Sequence, residues 1–209
     1  MRDSGRDHKA IRRRWQGVVQ ILRFATFFTL LLTLTLPAAG QAPALTENEI
    51  KAGFLFNFTK FVEWPTDAFS DANSPIILGI VGEDPFGDLL VQAVAGKSVN
   101  GRAVLLKHFK EEQPLRACNI LFVSGSEEKH LARILEKLKG SSILTVGETD
   151  GFAQAGGIIN FTIEGNRVRL EINLDAATRT RLKISAKVIA VARLVRDNPA
   201  VEKTANAKF

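Results

Sequence analysis

The 209-residue sequence has little of the chemistry on which enzymes and metal sites usually depend. It contains one cysteine, three histidines and no tyrosine. The single thiol, Cys118, has no partner for a disulfide within the chain, and because it opens the apolar run 118–123 it is predicted to be a small buried side chain. General acids and bases are scarce, and no cysteine or histidine cluster has metal-ligand spacing. The sequence therefore predicts a non-enzymatic protein without a metal or a cofactor.

Motifs for nucleotide binding and covalent catalysis are missing as well. Gly96-Lys97-Ser98 ends like a phosphate loop, but position 91, where the loop needs a further glycine, is a valine. No Gly-x-Ser-x-Gly turn occurs. The remaining acid–base candidates are carboxylates that are better explained as solvated or helix-capping groups: Glu63, Glu83, Asp84, Glu148, Asp150 and Glu171. A hydrolase that uses these carboxylates is the weakest of the three hypotheses weighed for this sequence, after the two binding functions described below.

The N-terminal segment is typical of an exported protein. Three arginines, 12–14, precede an apolar run over 18–36, which Pro37 and several small residues follow. The uninterrupted part, 24–36, is about a dozen residues, short of the roughly 20 that a membrane-spanning helix needs. Residues 1–42 are therefore predicted to be a cleaved signal peptide, which leaves a periplasmic protein that does not span the membrane. An uncleaved anchor is the alternative.

The charge of the chain is concentrated in this segment. The sequence has 28 Lys and Arg against 22 Asp and Glu, and 7 of the basic and 2 of the acidic residues precede position 43. The rest, with 21 basic and 20 acidic residues, is nearly neutral, so no nucleic-acid partner is predicted. Its length fits one domain, predicted over 45–196, followed by a disordered tail over 197–209 that has no hydrophobic period.

Helix and strand patterns alternate through the predicted domain. Thr46 and Glu49 form a capping box, and aromatic or aliphatic side chains recur behind it at helical spacing, at Ile50, Phe54, Phe58 and Phe61. Strands are predicted at 76–81, 103–109, 119–123 and 142–146, with helices at 88–94 and 127–139. This order predicts an α/β fold with a mainly parallel central sheet and flanking helices, in a Rossmann-like three-layer arrangement.

The connections refine this prediction. Only residues 110–117 join the second and third strands, too few for a parallel crossover, so these two strands are not expected to be neighbours. Alternating apolar residues on either side of Gly165-Asn166 predict a C-terminal β-hairpin. One long final helix is predicted from Asp175 to Val195, with Arg179, Lys183 and Lys187 as a basic ridge along it.

Seven segments in order resemble the YfiR family of periplasmic regulators. The most specific is 51–65, KAGFLFNFTKFVEWP, which is similar to the opening helix of that family. The others are 79–82 with 85–87, 118–124, 144–146, 156–161, 168–173 and 182–188. The resemblance implies an inhibitor that binds the periplasmic domain of a membrane-bound diguanylate cyclase and links envelope stress to cyclic-di-GMP and biofilm formation. Family members under redox control carry further, paired cysteines, which this chain lacks.

The partner-binding surface is predicted from the aromatic first helix. Phe56 lies about 200° around the helix from Phe54 and Phe58, so one buried face cannot hold all three rings. The predicted partner-binding residues are Phe56, Asn57, Lys60, Glu63, Trp64, Arg179, Lys183 and Lys187. The expected partner is the periplasmic domain of a cyclase or of a sensor kinase, and a homodimer is left open.

The second hypothesis is a periplasmic small-molecule binding protein that serves a sensor kinase. Ligands of parallel sheets bind beyond the carboxyl ends of the strands. The residues predicted for such a pocket are Gly82, Glu83, Asp84, Phe86, Ser124, Gly147 and Glu148.

Overall fold

The structure is a computed structural model that describes residues 45–110 and 113–198. The predicted signal peptide, 1–42, and residues 199–209 of the predicted tail lie outside the described residues. The helices are α1 Glu47–Phe61, α2 Asp88–Val94, α3 Leu131–Leu138, α4 Leu174–Arg179 and α5 Ala186–Ile189. The strands are β1 Val62–Glu63, β2 Ile76–Val81, β3 Ser98–Val99, β4 Arg102–Phe109, β5 Ile120–Val123, β6 Leu144–Gly147, β7 Ile159–Glu164, β8 Arg167–Asn173, β9 Lys183–Ile184 and β10 Ala192–Val195.

Eight of these strands form one sheet in the order β10-β8-β7-β6-β5-β2-β4-β3. Within this sheet the neighbouring pairs β4–β2, β2–β5, β5–β6, β6–β7 and β8–β10 are parallel. The pairs β3–β4 and β7–β8 are antiparallel. The prediction of a mainly parallel sheet with flanking helices is confirmed. Strands β4 and β5 lie on opposite sides of β2, so the expectation that they are not neighbours is confirmed too.

Apolar side chains cover both faces of the sheet. In β5, Ile120 and Phe122 belong to the core beneath α1 and α2, and Leu121 and Val123 belong to a second core beneath α3. Successive side chains of a strand point to opposite faces, so a strand buried on both sides reads as a continuous apolar run. Two helical layers with the sheet between them make the predicted three-layer arrangement.

The predicted β-hairpin is β7–β8, and it lies within the main sheet. Its turn residues Gly165 and Asn166 have φ values of 54° and 66°, which suit a tight turn that requires left-handed backbone at both positions. Ile159 pairs with Ile172 and Phe161 with Leu170 across the two strands. All four side chains are buried, so the hairpin extends the sheet and its core together.

Helix α1 begins as predicted but buries a different face. Its capping box is formed: the backbone N–H of Glu49 donates to Thr46 Oγ1 at 3.3 Å and that of Thr46 donates to Glu49 Oε2 at 2.6 Å. The buried residues of the helix are Lys51, Ala52, Leu55, Phe58 and Thr59. Of the predicted apolar stripe only Phe58 is fully buried, because two polar residues with partners of their own occupy the inner face.

The predicted long final helix is wrong. Helix α4 ends at Arg179, and Arg181 has a left-handed φ of 61°, which turns the chain before β9, α5 and β10 follow. Strand β9 pairs with β1, and β10 adds to β8 as an edge strand. Local helix propensity in this segment is overridden by pairing with β1 and β8. Arg179, Lys183 and Lys187 therefore lie on three different elements and form no common helical ridge.

The first two residues of the predicted tail are bound to the domain. Asn173 Nδ2 donates to Asp197 Oδ1 at 2.6 Å, and the backbone N–H of Asn198 donates to the carbonyl oxygen of Gln154 at 2.8 Å. The hydrogen-bonded chain therefore continues to at least Asn198.

Candidate functional site

The residues predicted for a ligand pocket lie at the end of β6 and on the loops after β2, β5 and β6, at the carboxyl edge of the sheet. The first two loops touch at Gly82, whose φ is 89°. A Cβ there would lie 2.5 Å from Ser126 Oγ and 3.0 Å from Ser124 Cβ, so only glycine fits this approach. Ser126 Oγ also accepts a hydrogen bond from the backbone N–H of Glu83 at 2.9 Å. The structure thus brings Gly82, Glu83 and Ser124 together.

Asp84 and Phe86 organise the first of these loops. Asp84 Oδ1 accepts hydrogen bonds from the backbone N–H groups of Phe86 and Gly87 at 2.8 and 3.2 Å, and its Oδ2 lies 2.8 Å from His108 Nε2. The Phe86 ring is buried edge-on against Phe122, with 4.9 Å between ring centroids. These side chains shape the loop from within.

Gly147 faces the ring of Phe152, which fills the space beside it. A Cβ at Gly147 or at Gly157 would collide with that ring, so the ring can pack at this position only because both residues are glycine. Phe152 is fully buried and belongs to the core beneath α3. The end of β6 is therefore packed by the protein's own side chain.

Lys51 is the residue of this edge that the sequence analysis did not identify. It is 5% exposed, and its Nζ lies 2.5 Å from Glu47 Oε1 and 2.9 Å from Glu148 Oε2. Glu148 Oε1 also accepts from the backbone N–H of Gly125 at 3.1 Å. Burial disfavours the charged ammonium, but the hydrogen bonds and charges of Glu47 and Glu148 outweigh burial and raise the pKa of Lys51. The lysine thereby fixes α1 over the carboxyl ends of β5 and β6.

Six of the eight predicted partner-binding residues lie at the end of α1 or on the elements joined to it by the β1–β9 ribbon. We call this set the ribbon surface: Phe56, Asn57, Lys60, Glu63, Lys183 and Lys187. In the ribbon Glu63 is paired in register with Lys183. Lys60 Nζ lies 4.2 Å from the centroid of the Phe56 ring and 3.4 Å from Asn57 Oδ1. Lys187 Nζ similarly lies 5.8 Å from the Phe61 ring centroid.

The other two predicted residues have contacts elsewhere. Trp64 is partly buried, its Nε1 donates to the carbonyl oxygen of Asn119 at 3.2 Å, and its ring packs edge-on against Phe69. Arg179 binds Asp197 beside a cavity of about 400 Å³ between α3 and α4. None of the seven residues predicted for a ligand pocket lines that cavity.

Within 45–110 and 113–198, no group of three or more His, Cys, Asp or Glu side chains is arranged to hold a metal ion. Over the same residues, no helix combines the length and the apolar character needed to cross a bilayer.

The architecture is that of an α/β domain in which the carboxyl edge of a parallel sheet is closed by an ion-paired helix. Comparison with solved structures finds an ABC domain from Streptococcus pneumonia in complex with L-Trp (TM-score 0.48, 9% identity, 69% of this chain and 60% of that chain). It also finds a conserved domain protein from Vibrio cholerae (TM-score 0.49, 13% identity, 72% and 60%). The chain spans 60% of the length of each.

The family is shown by sequence. The model of the YfiR/HmsC-like family matches residues 48–193, from α1 to the second residue of β10, and the protein belongs to this family. The resemblance found in the sequence analysis is thereby confirmed. The match includes both the carboxyl edge of the sheet and the ribbon surface.

Proposed function

We propose that the domain is a periplasmic regulator that binds the periplasmic domain of a membrane-bound diguanylate cyclase and holds the cyclase inactive. Membership of the YfiR/HmsC-like family is the observation that carries this proposal. Residues 1–42 are proposed to be the signal peptide that exports it. The sequence patterns of enzymes and cofactor sites were not found, which agrees with a role exerted by binding.

The ribbon surface is the proposed contact with the cyclase. Its aromatic ring at Phe56 is partly buried and carries the ammonium group of Lys60, an arrangement that leaves apolar and cationic groups side by side. With Lys60, Lys183 and Lys187 against Glu63, its formal charge is positive. A partner surface with carboxylates around an apolar centre would complement it.

Phe56 is the residue expected to dominate the contact. Aromatic residues are enriched among interface hot spots, where truncation to alanine costs about 2 kcal/mol or more, roughly a thirtyfold loss of affinity. Since Phe56 is only partly buried, its truncation should cost the free domain far less stability than truncation of the fully buried Phe58. Truncation at these two positions of α1 can therefore separate the effect on affinity for the partner from the effect on the stability of the free domain.

The test uses the purified domain and the periplasmic domain of a membrane-bound cyclase encoded beside it. Isothermal titration calorimetry should show binding that Phe56→Ala weakens roughly thirtyfold. Leu105→Ala, which truncates a side chain that is 44% exposed on β4, should leave binding unchanged. In cells, Phe56→Ala should raise cyclic-di-GMP. Binding to a sensor-kinase domain but to no cyclase would instead favour the small-molecule sensor hypothesis.

Export is tested separately by fractionation of cells that carry the C-terminally tagged full chain. The tagged protein should be recovered in the periplasmic fraction at the mass of the chain without its first forty or so residues. Recovery of the uncleaved precursor in the inner membrane would contradict the proposed signal peptide.

A further inference from the structure

Arg179 forms a bidentate ion pair with the carboxylate of Asp197. Its Nη1 lies 2.6 Å from Asp197 Oδ2 and its Nη2 lies 3.2 Å from Oδ1. A third donor, Asn173 Nδ2, lies 2.6 Å from Oδ1. The planar guanidinium matches the two oxygens of a carboxylate, and this geometry gives specificity as well as attraction. We call Arg179 and Asn173 the carboxylate clamp.

The clamp is built into the fold. Asn173 is fully buried, ends β8, caps α4 by accepting a hydrogen bond from the backbone N–H of Ala176, and donates to the carbonyl oxygen of Ala153 at 2.8 Å. Its amide orientation is thus fixed by two contacts, one at its oxygen and one at its nitrogen. A buried amide held in this way presents its remaining N–H in one direction, toward the carboxylate.

A cavity adjoins the clamp. Arg179 and Asp197 both line the space of about 400 Å³, whose apolar wall is supplied by α3, α4 and the loops that lead into β6 and β7. The apolar lining residues are Leu135, Leu138, Ile143, Ala155, Ile158 and Ala176, and the polar side chains of Lys139, Thr145, Gln154 and Thr180 also line the space. The cavity therefore combines a site for one carboxylate with a wall suited to an apolar body.

The present occupant of the clamp is open to solvent. The side chains of Arg179 and Asp197 are 53% and 41% exposed, so a dissolved anion can reach the ion pair. The hydrogen bond with Arg179 lowers the pKa of Asp197, so the carboxylate is charged at neutral pH. After Asp197, the described chain adds one backbone hydrogen bond, from Asn198 to Gln154.

We propose that the cavity is a binding site for a small molecule with one carboxylate and an apolar body, and that Asp197 is its internal competitor. The ligand's carboxylate replaces that of Asp197 on Arg179 and Asn173, and its apolar body lies between α3 and α4. The two guanidinium N–H groups of Arg179 and the fixed amide N–H of Asn173 match the two oxygens of one carboxylate, and the apolar lining residues suit an apolar body. This proposal does not depend on the cyclase partner.

The test uses octanoate as the probe and 1-octanol as the matched probe without a carboxylate. Calorimetric titration of the mature domain should show octanoate binding that is about tenfold tighter in Asp197→Ala, because the competitor is gone. Arg179→Met should weaken octanoate binding about tenfold or more. Arg179→Lys keeps the positive charge but not the two parallel N–H donors, so its affinity for octanoate should lie between those of the wild type and Arg179→Met. Octanol should bind all four proteins weakly and alike.

Arg181→Met is the control variant. Arg181 is also an exposed arginine in an ion pair, 2.8 Å from Asp67, but it does not line the cavity, so its removal should leave octanoate binding unchanged. Thermal melts confirm that each variant is folded. Absence of octanoate binding to folded Asp197→Ala, or equal binding to the wild type and to both Arg179 variants, would overturn the proposal.

Discussion

Replacing Lys51 with methionine tests the ion-paired attachment of α1 to the sheet. The exposed fractions of the side chains are 6% for Lys51, 18% for Glu148 and 48% for Glu47. Removing one partner of a fully buried pair costs about 3–5 kcal/mol, because the other charge is left unpaired. Glu47 is half in water and Glu148 keeps its bond from Gly125, so we discount the loss to about 2 kcal/mol. Methionine keeps most of the buried alkyl volume.

A double-mutant cycle isolates the electrostatic part of that loss. Glu148→Gln should cost about 1 kcal/mol, because Lys51 keeps Glu47 and the glutamine oxygen still accepts from Gly125. Lys51→Met with Glu148→Gln should cost less than the sum of the single changes by about 1 kcal/mol, since the charge at position 148 is gone and only the half-exposed Glu47 carboxylate has lost its partner. Urea unfolding of the protein without residues 1–42, followed by circular dichroism, gives these free energies.

Lys60→Met, on the exposed side of the same helix, is the matched control and should change stability by about 0.5 kcal/mol or less. The pKa of Lys51 is raised from its ordinary 10.5, so its charge stabilises the fold fully below that pH, and the stabilisation is lost as the pH rises through the higher folded value. A Lys51→Met domain as stable as the wild type at neutral pH would refute this role of the ion pair.

Two further outcomes follow from the core beneath α3. Burial raises the pKa of the Cys118 thiol to about 12, so at pH 8 iodoacetamide should label the native domain very slowly and the urea-unfolded chain readily. Fast labelling of the native domain would contradict the burial. Because the chain has one cysteine, reductant should leave the melting temperature of the monomer unchanged. Gly147→Ala should destabilise the domain by about 3 kcal/mol, because its Cβ collides with the rigid Phe152 ring. Gly53→Ala, on α1 with open space around the added methyl group, should be neutral or stabilising by up to about 1 kcal/mol, and an equal loss for both variants would exclude the collision as the cause.

Local patterns predicted much of the fold. The capping box at Thr46, the apolar runs of β2, β5 and β6, and the Gly165-Asn166 turn each depend on neighbouring residues, and each is found within two residues of its predicted position. The missing crossover after β4 even predicted which strands could not be adjacent.

Distant pairing explains what sequence patterns missed. The segment after Arg179 has apolar residues at helical spacing, but its conformation is decided by pairing with β1, about 120 residues earlier, and with β8, which precedes α4. From the sequence alone Lys51 and Arg179 are interpreted as solvated surface residues. The structure shows that Lys51 is paired with Glu148 and Arg179 with Asp197. A periodicity argument assigns polar residues to water and cannot anticipate partners from another element.

The pairing of β1 with β9 also determines when the domain can be completed. Strand β1 directly follows α1, yet its partner residues, 183 and 184, are synthesised about 120 residues later. The central strands can associate earlier, because their contacts are nearer in sequence and close shorter loops. Until the C-terminal residues arrive, α1 lacks this anchor and the edge of β8 that receives β10 stays open. A prematurely ended chain would therefore expose an unpaired strand edge and a loosely held aromatic helix, which are features that proteases and chaperones recognise.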